Sequence, residues 1–242
     1  MSTFSYQTGP ALGEAASLGL IVLQADETIE HDFRRLFNGP NHRLLVSRVP
    51  SGLEVTGDTL SEMQQTLPGA AALFPRSVNF DVIGYGCTSG TSVIGAEKVA
   101  NLVRSATHTS HVTEPVSGLV HACRKASVSR LALLSPYIAP VSQALRDALA
   151  AQGIETPVFG SFDEAEEEKV ARIDPRSTYE AALEIGRDDN ADAVFLSCTN
   201  LQTLDILGPL QQELGKPVWS SNWVLAQHMA ELTGCSLSRT RA

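Results

Sequence analysis

The chain has 242 residues, is 43% hydrophobic and 19% charged, and carries a formal net charge of −9. That size and balance suit a globular protein of one large domain or two small ones. The acidic excess argues against nucleic acid, whose binding needs cationic surface to displace counterions. It also argues against a polybasic membrane anchor, and no apolar run nears the ~20 residues of a bilayer span.

Residues 1–17 read as a flexible tail, without the basic-then-apolar order of a signal peptide. The first strand is predicted over 18–23 and a helix over 27–37, followed by a strand over 44–49. Helical periodicity covers 58–74 and is interrupted near Pro68-Gly69. A third strand over 80–83 leads to Cys87, and a helix covers 95–104. The polar stretch 105–113 reads as a loop, with Pro115 starting the next helix. The second half predicts a strand over 131–134, a helix over 141–151 ended by Gly153, and a strand over 154–159. The charge run 163–169 reads as a helix opening, and Ser177 with Glu180 as the capping box of a helix over 177–185. A strand over 193–196, a helix over 204–214 and a short strand over 217–219 follow. Ser220-Ser221-Asn222 caps a final helix over 223–232, ended by Gly234.

Strands alternating with helices predict an α/β protein with parallel sheets. The two halves also repeat. Leu20-Ile21-Val22-Leu23-Gln24-Ala25-Asp26 moves onto Leu131-Ala132-Leu133-Leu134-Ser135-Pro136-Tyr137 at an offset of 111 residues. The same offset carries Val82-Ile83-Gly84-Tyr85-Gly86-Cys87-Thr88-Ser89 onto Ala193-Val194-Phe195-Leu196-Ser197-Cys198-Thr199-Asn200. Such self-similarity points to duplication. Each cysteine follows a strand and precedes a helix-like segment. Ligands on parallel sheets bind at the carboxyl ends of the strands, and Asp26, Cys87, Tyr137 and Cys198 all fall there.

Of four cysteines, Cys87 and Cys198 are the candidates for chemistry. Unpaired N–H groups at a helix start attract anions, bind carboxylates and lower a thiol pKa. Thr88, Ser89 and Thr199 add hydroxyl donors. Cys123, inside an apolar helix, and Cys235, near the end of the sequence, read as packing residues. There is no disulfide framework, CxxC or zinc-spaced Cys/His cluster, so no metal is expected and reduced thiols suit the cytoplasm. Gly84 to Gly90 spells GxGxxxG without the acidic ribose partner of a dinucleotide site. A cysteine hydrolase using His108, His111, His121 or His228 stays open, although none of them sits in a motif.

Ile21-Val22-Leu23-Gln24-Ala25-Asp26-Glu27-Thr28-Ile29-Glu30, Gly84 to Gly90, Ser135-Pro136-Tyr137, Ser197-Cys198-Thr199-Asn200 and Gly215-Lys216-Pro217-Val218-Trp219-Ser220-Ser221 occur in this order. As a set they resemble the aspartate/glutamate racemase superfamily, in its branch of maleate cis–trans isomerases and arylmalonate decarboxylases. The resemblance runs from about Leu18 to the end. It implies two pseudo-symmetric Rossmann-like domains, a cleft between them with a cysteine from each, no cofactor, and a homodimer or higher homo-oligomer. On that pattern the first domain takes residues 18–118 and 225–242, and the second takes 119–224.

By resemblance Cys87 and Cys198 match the two catalytic cysteines, and Tyr137 matches a tyrosine that donates to a substrate carboxylate. Arylmalonate decarboxylases lack the first cysteine, so its presence favours isomerase or racemase chemistry. Two positions depart from the maleate isomerase pattern. Asp26 and Glu167 stand where asparagines bind carboxylate, with Asp163 competing for the second position. An ionised acid repels a carboxylate and cannot donate to it. The resemblance and these departures together imply a small amino- or N-acylamino-carboxylic acid as substrate; the Gln24-to-Glu27 variant resembles the member associated with ectoine utilisation. Two other readings stay open here, a helix cap for Asp26 and a solvated face for Glu167. Thr88, Ser89, Tyr137, Thr199 and Asn200 would hold carboxylate oxygens and enolate charge. Alternatives are a maleate isomerase proper, a decarboxylase or hydrolase, and a non-catalytic binding protein.

Overall fold

The computed structural model describes residues 1–10, 12–13, 15–52 and 54–238. Positions 11 and 14 of the expected tail, and 239–242 of the expected first domain, lie outside the described residues. Two four-stranded parallel sheets carry the fold. The first has the order β2-β1-β3-β4, from β1 (Ala16–Leu23), β2 (His42–Val49), β3 (Phe80–Gly86) and β4 (Thr109–Thr113). The second has β6-β5-β7-β8, from β5 (Arg130–Tyr137), β6 (Glu155–Glu164), β7 (Ala193–Leu196) and β8 (Val218–Ser220). The identical order is what the repeat predicts. The inner strands β1, β3, β5 and β7 are apolar runs buried almost throughout, as expected of parallel strands covered on both faces.

Helices α1 (Ile29–Leu36), α2 (Gly57–Ala71), α3 (Thr88–Ile94) and α4 (Ala96–Arg104) serve the first half, and α5 (Pro115–Ala126) links the halves. Helices α6 (Ala139–Ala150), α7 (Glu167–Val170), α8 (Pro175–Gly186) and α9 (Leu207–Leu214) serve the second. The last helix, α10 (Ser221–Thr233), packs on β3, β4, α1 and α5 as well as β8. Ser220 caps it and Gly234 ends it at φ 70°, as the sequence predicts.

Several local expectations change. The polar stretch before Pro115 contains β4, which pairs with β3 along Phe80↔Thr109 to Gly84↔Thr113. Its β-branched Thr and Val residues suit an edge strand with one wet side, so polarity alone misleads there. Pro68 does not interrupt α2, because Leu67, Ala70 and Ala71 around it are buried and tertiary packing outweighs one lost hydrogen bond. The helix over 177–185 starts earlier. Asp174 is its cap, accepting from Arg176 N–H at 3.1 Å, and Glu180 pairs instead with Arg176 at 2.8 Å. Asp163 and Glu164 end β6 rather than opening a helix. Residues 16 and 17 of the expected tail belong to β1.

Candidate active site

In each sheet the chain leaves the two inner strands in opposite directions, which opens a crevice at their carboxyl ends. Asp26 follows β1 and Cys87 follows β3; Tyr137 ends β5 and Cys198 follows β7. All four line one cavity, with Thr88, Ser89, Glu167, Thr199 and Asn200. Every one of these nine residues is buried. Asp163 is exposed, so of the two competing acids it is Glu167 that the structure places at the cavity. Ser51, Glu54 and Val55, which belong to no motif in the sequence, also line it. Their loop meets the β6–α7 loop: Val55 N–H donates to Ala165 O at 3.0 Å beside a Glu54–Glu166 bridge.

Cys87 is the N-cap of α3, with extended backbone, and its Sγ accepts Gly90 N–H at 3.1 Å. Gly90 leaves no room for a side chain, since a Cβ would lie 2.7 Å from Tyr85 Oη, 2.8 Å from Cys87 Sγ and 2.9 Å from Met63 Cε. Gly84 of the glycine-rich stretch packs closely under α10, where a Cβ would lie 2.6 Å from Met229 Sδ.

Cys198 differs. Its φ is +119°, a conformation that costs an L-residue of order 1–3 kcal/mol and clusters at functional sites. No helix follows directly; α9 begins only at Leu207, which corrects the expected symmetry. Cys198 N–H donates to Ser221 Oγ at 3.0 Å, and Asn200 N–H donates to its Sγ at 3.2 Å. Tyr137 Oη lies 3.0 Å from the same sulfur and donates to Glu167 Oε1 at 2.7 Å. Asn200 joins the halves: its Oδ1 accepts Glu27 N–H at 2.9 Å while its Nδ2 donates to Glu167 Oε2 at 3.0 Å.

Asp26 combines the two readings open in the sequence. Oδ1 accepts the N–H groups of Thr28 and Ile29, both at 2.8 Å, at the start of α1. Oδ2 is buried with no hydrogen-bond partner among the described residues. Burial pushes its pKa up to about 6, opposed by Ile29 N–H, the nearby Thr199 hydroxyl and Thr28 N–H. Burial also pushes Cys87 up to about 12, with the Glu167 charge adding to it and Gly90 N–H opposing. Cys198 is driven well above the usual thiol value, by burial first and then by Glu167. Among the described residues lining the cavity there is no Lys, Arg or His. The histidines sit elsewhere: His121 stacks on His228 at 4.9 Å, and His228 Nδ1 bonds Thr113 Oγ1 at 2.7 Å. Cys123 is buried in the core, and Cys235 is half-buried beside Thr233. No metal-holding group of His, Cys, Asp and Glu occurs, and no helix is long and apolar enough to cross a membrane, among the described residues.

The profile of the arylmalonate decarboxylase family matches residues 95–238. A maleate isomerase of Geobacillus stearothermophilus is 25% identical over 177 residues, 70% of each chain. Among solved structures, the maleate isomerase Iso of Pseudomonas putida S16 is similar with a TM-score of 0.81 at 22% identity, covering 91% of this chain and 93% of that one. A Nocardia farcinica maleate cis-trans isomerase mutant with a covalently bound succinylcysteine intermediate has a TM-score of 0.79 at 21% identity, with the same coverage. At such identities these structures establish the fold.

Proposed function

Because the chain belongs to the arylmalonate decarboxylase family, we propose that it is a cofactor-independent isomerase or racemase of a small carboxylic acid, worked by Cys87 and Cys198. The observation that carries this reading is that one cysteine from each half lines the same buried cavity. A thiol on either side of a carbon suits removal of a proton from one face and delivery to the other. It also suits addition of one thiol to an alkene carbon, rotation about the resulting single bond, and elimination. The maleate isomerase relatives and the succinylcysteine adduct of the Nocardia enzyme support the second variant of this chemistry. Thr88, Ser89, Thr199 and Asn200 line the cavity, and in this reading they supply donors to carboxylate oxygens and enolate charge.

The substrate differs from maleate in this reading. Asp26 and Glu167 place two acids against the cavity with no cation among its described lining residues, and Asp26 Oδ2 has no partner there. A dicarboxylate would add charge of the same sign in a poorly screened site. An amino- or N-acylamino-carboxylic acid brings N–H donors for Asp26, and the ectoine-utilisation resemblance points to the same class. The test is NMR in D₂O with amino dicarboxylates, diaminobutyrate derivatives and maleate. Deuterium at the α-carbon of recovered amino substrate, lost in Cys87→Ala and Cys198→Ala, is the expected result. Turnover of maleate alone would assign a maleate isomerase, and no exchange or turnover with any of them would end the reading.

A further inference from the structure

The hydrogen bonds around Cys198 have a direction that can be read from one unambiguous donor. Glu27 N–H is a backbone donor, so the Asn200 atom that meets it is Oδ1. Asn200 therefore turns Nδ2 to Glu167 Oε2, and Glu167 accepts there. With Glu167 as the carboxylate, its Oε1 accepts the Tyr137 hydroxyl proton at 2.7 Å. A phenol has one proton, so Tyr137 Oη can only accept from its other neighbour, Cys198 Sγ at 3.0 Å. That requires an S–H on Cys198. Cys87 has a tyrosine beside it but no acid behind that tyrosine: its Sγ accepts Gly90 N–H, and the Tyr85 hydroxyl donates to Met63 Sδ at 3.6 Å.

We propose that Glu167, acting through the Tyr137 hydroxyl, holds Cys198 as the protonated thiol of the pair and takes up its proton when Cys198 becomes a thiolate. In that step the Cys198 S–H bond breaks and Tyr137 Oη gains the proton, while the original Tyr137 hydroxyl proton passes to Glu167 Oε1. The products are a thiolate, a phenol and a carboxylic acid, and the summed charge of the three groups is unchanged. Glu167 is thus a positioning residue that gives the two cysteines unlike roles. The usual stabiliser of a thiolate, a neighbouring cation, is missing among the described lining residues, which leaves an acid–base partner as the route for the proton.

Every titratable group facing Glu167 agrees with this polarity. Tyr137 faces it from β5 and Cys198 from the turn after β7, and the Glu167 charge reaches Asp26 and Cys87 in the first half, raising both. Glu54 lines the same cavity. The nearby cations are engaged elsewhere: Lys169 bonds Glu166, and Arg172 bonds Glu27. With anionic neighbours, the proton is held on sulfur at rest.

The test uses the full chain without substrate. The infrared S–H band should lose a component in Cys198→Ser at neutral pH, and that component should move to higher frequency in Tyr137→Phe, where the acceptor is gone. Thiolate absorbance is then titrated in wild type and Glu167→Gln, each against its Cys198→Ser counterpart. The Cys198 midpoint should fall by about one pH unit or more in Glu167→Gln, about tenfold more thiolate at fixed pH. No Cys198 S–H component in wild type, or an unmoved midpoint in Glu167→Gln, overturns the proposal. If Glu167→Gln does not fold, the infrared comparison of Tyr137→Phe decides. The relay rests on the proposed isomerase reading only for the use made of the thiolate. Failed deuterium exchange with these thiol signatures intact would sink that reading and leave the relay standing.

Discussion

The turns after β3 and β7 start from nearly the same residues, Cys87-Thr88-Ser89 and Cys198-Thr199-Asn200, and end in different structures. Cys87 keeps extended backbone at φ −152° and starts a helix at once. Cys198 sits at φ +119°, and its helix is delayed to Leu207. Their strand-end neighbours differ as well. Tyr137 lies 3.0 Å from Cys198, whereas Asp26, at the same offset in the first half, turns one oxygen to the start of α1. Local sequence places the two thiols, and bonds made within each half, to Gly90 for one and to Tyr137 and Glu167 for the other, give each its own electrostatic setting.

Removing a thiol breaks this comparison most severely. General acid–base groups contribute about 10²- to 10⁴-fold. Cys87→Ala and Cys198→Ala should each lose α-carbon deuterium exchange by that much, measured by NMR. Full exchange in one variant would show that only one turn carries the chemistry.

Asp26→Asn comes next, because it removes the charge that has no counterpart at Tyr137. Burial raises Asp26 from 3.8 to about 6, so the folded state holds its proton more tightly than the unfolded chain. Its contribution to stability is therefore most favourable below the unfolded value. It declines as pH rises to about 6 and stays lower above, a difference of up to about 3 kcal/mol. Asp26→Asn should flatten that window in denaturant titrations, raising stability above about pH 6 and leaving it unchanged below about pH 4. Calorimetry should also show its preference move from amine-bearing ligands toward dicarboxylates by about tenfold or more, the worth of a charged hydrogen bond. Unchanged binding would remove Asp26 from the ligand site.

What was legible in the sequence follows the same division. The inner strands, the repeat and the two strand-end cysteines rest on short-range apolar patterning, and they stand where the sequence puts them. The strand at Thr109–Thr113 was hidden because an edge strand in water needs no apolar run. Whether Glu167 or Asp163 faced the cavity was undecidable in a run of acids. Burial selects Glu167 through its bonds to Tyr137 and Asn200, which lie 30 and 33 residues away in sequence. The contribution of Ser221 was concealed by its position in a helix-capping triplet, where its hydroxyl reads as a cap rather than as the acceptor of Cys198 N–H.

Gly90→Ala tests the first turn alone. The position at the same offset in the second half is Leu201, a buried side chain with room to pack, whereas Gly90 has three atoms within 3.0 Å of a would-be Cβ. Overpacking of this kind costs about 3 kcal/mol at its upper end. The expected result is that loss in denaturant midpoint, together with a disturbed Cys87 titration and an undisturbed Cys198 titration. Equal disturbance of both thiols would mean that the turns are not independent.

Ser221→Ala makes the smallest change and addresses the bond that joins the turns. The Ser221 hydroxyl is buried, accepts Cys198 N–H at 3.0 Å, and meets Thr88 Oγ1 at 2.7 Å. It thus links the second cysteine to the residue that follows the first. Alanine leaves a buried N–H without its acceptor, at a cost of about 1–2 kcal/mol. The strained backbone at Cys198 is the element that this bond supports. Hydrogen exchange at the Cys198 amide should therefore accelerate by about tenfold or more, while the amide of Gly90 keeps its protection. A uniform loss of protection at both amides would instead make Ser221 a general packing residue, and the two turns would share a single stability.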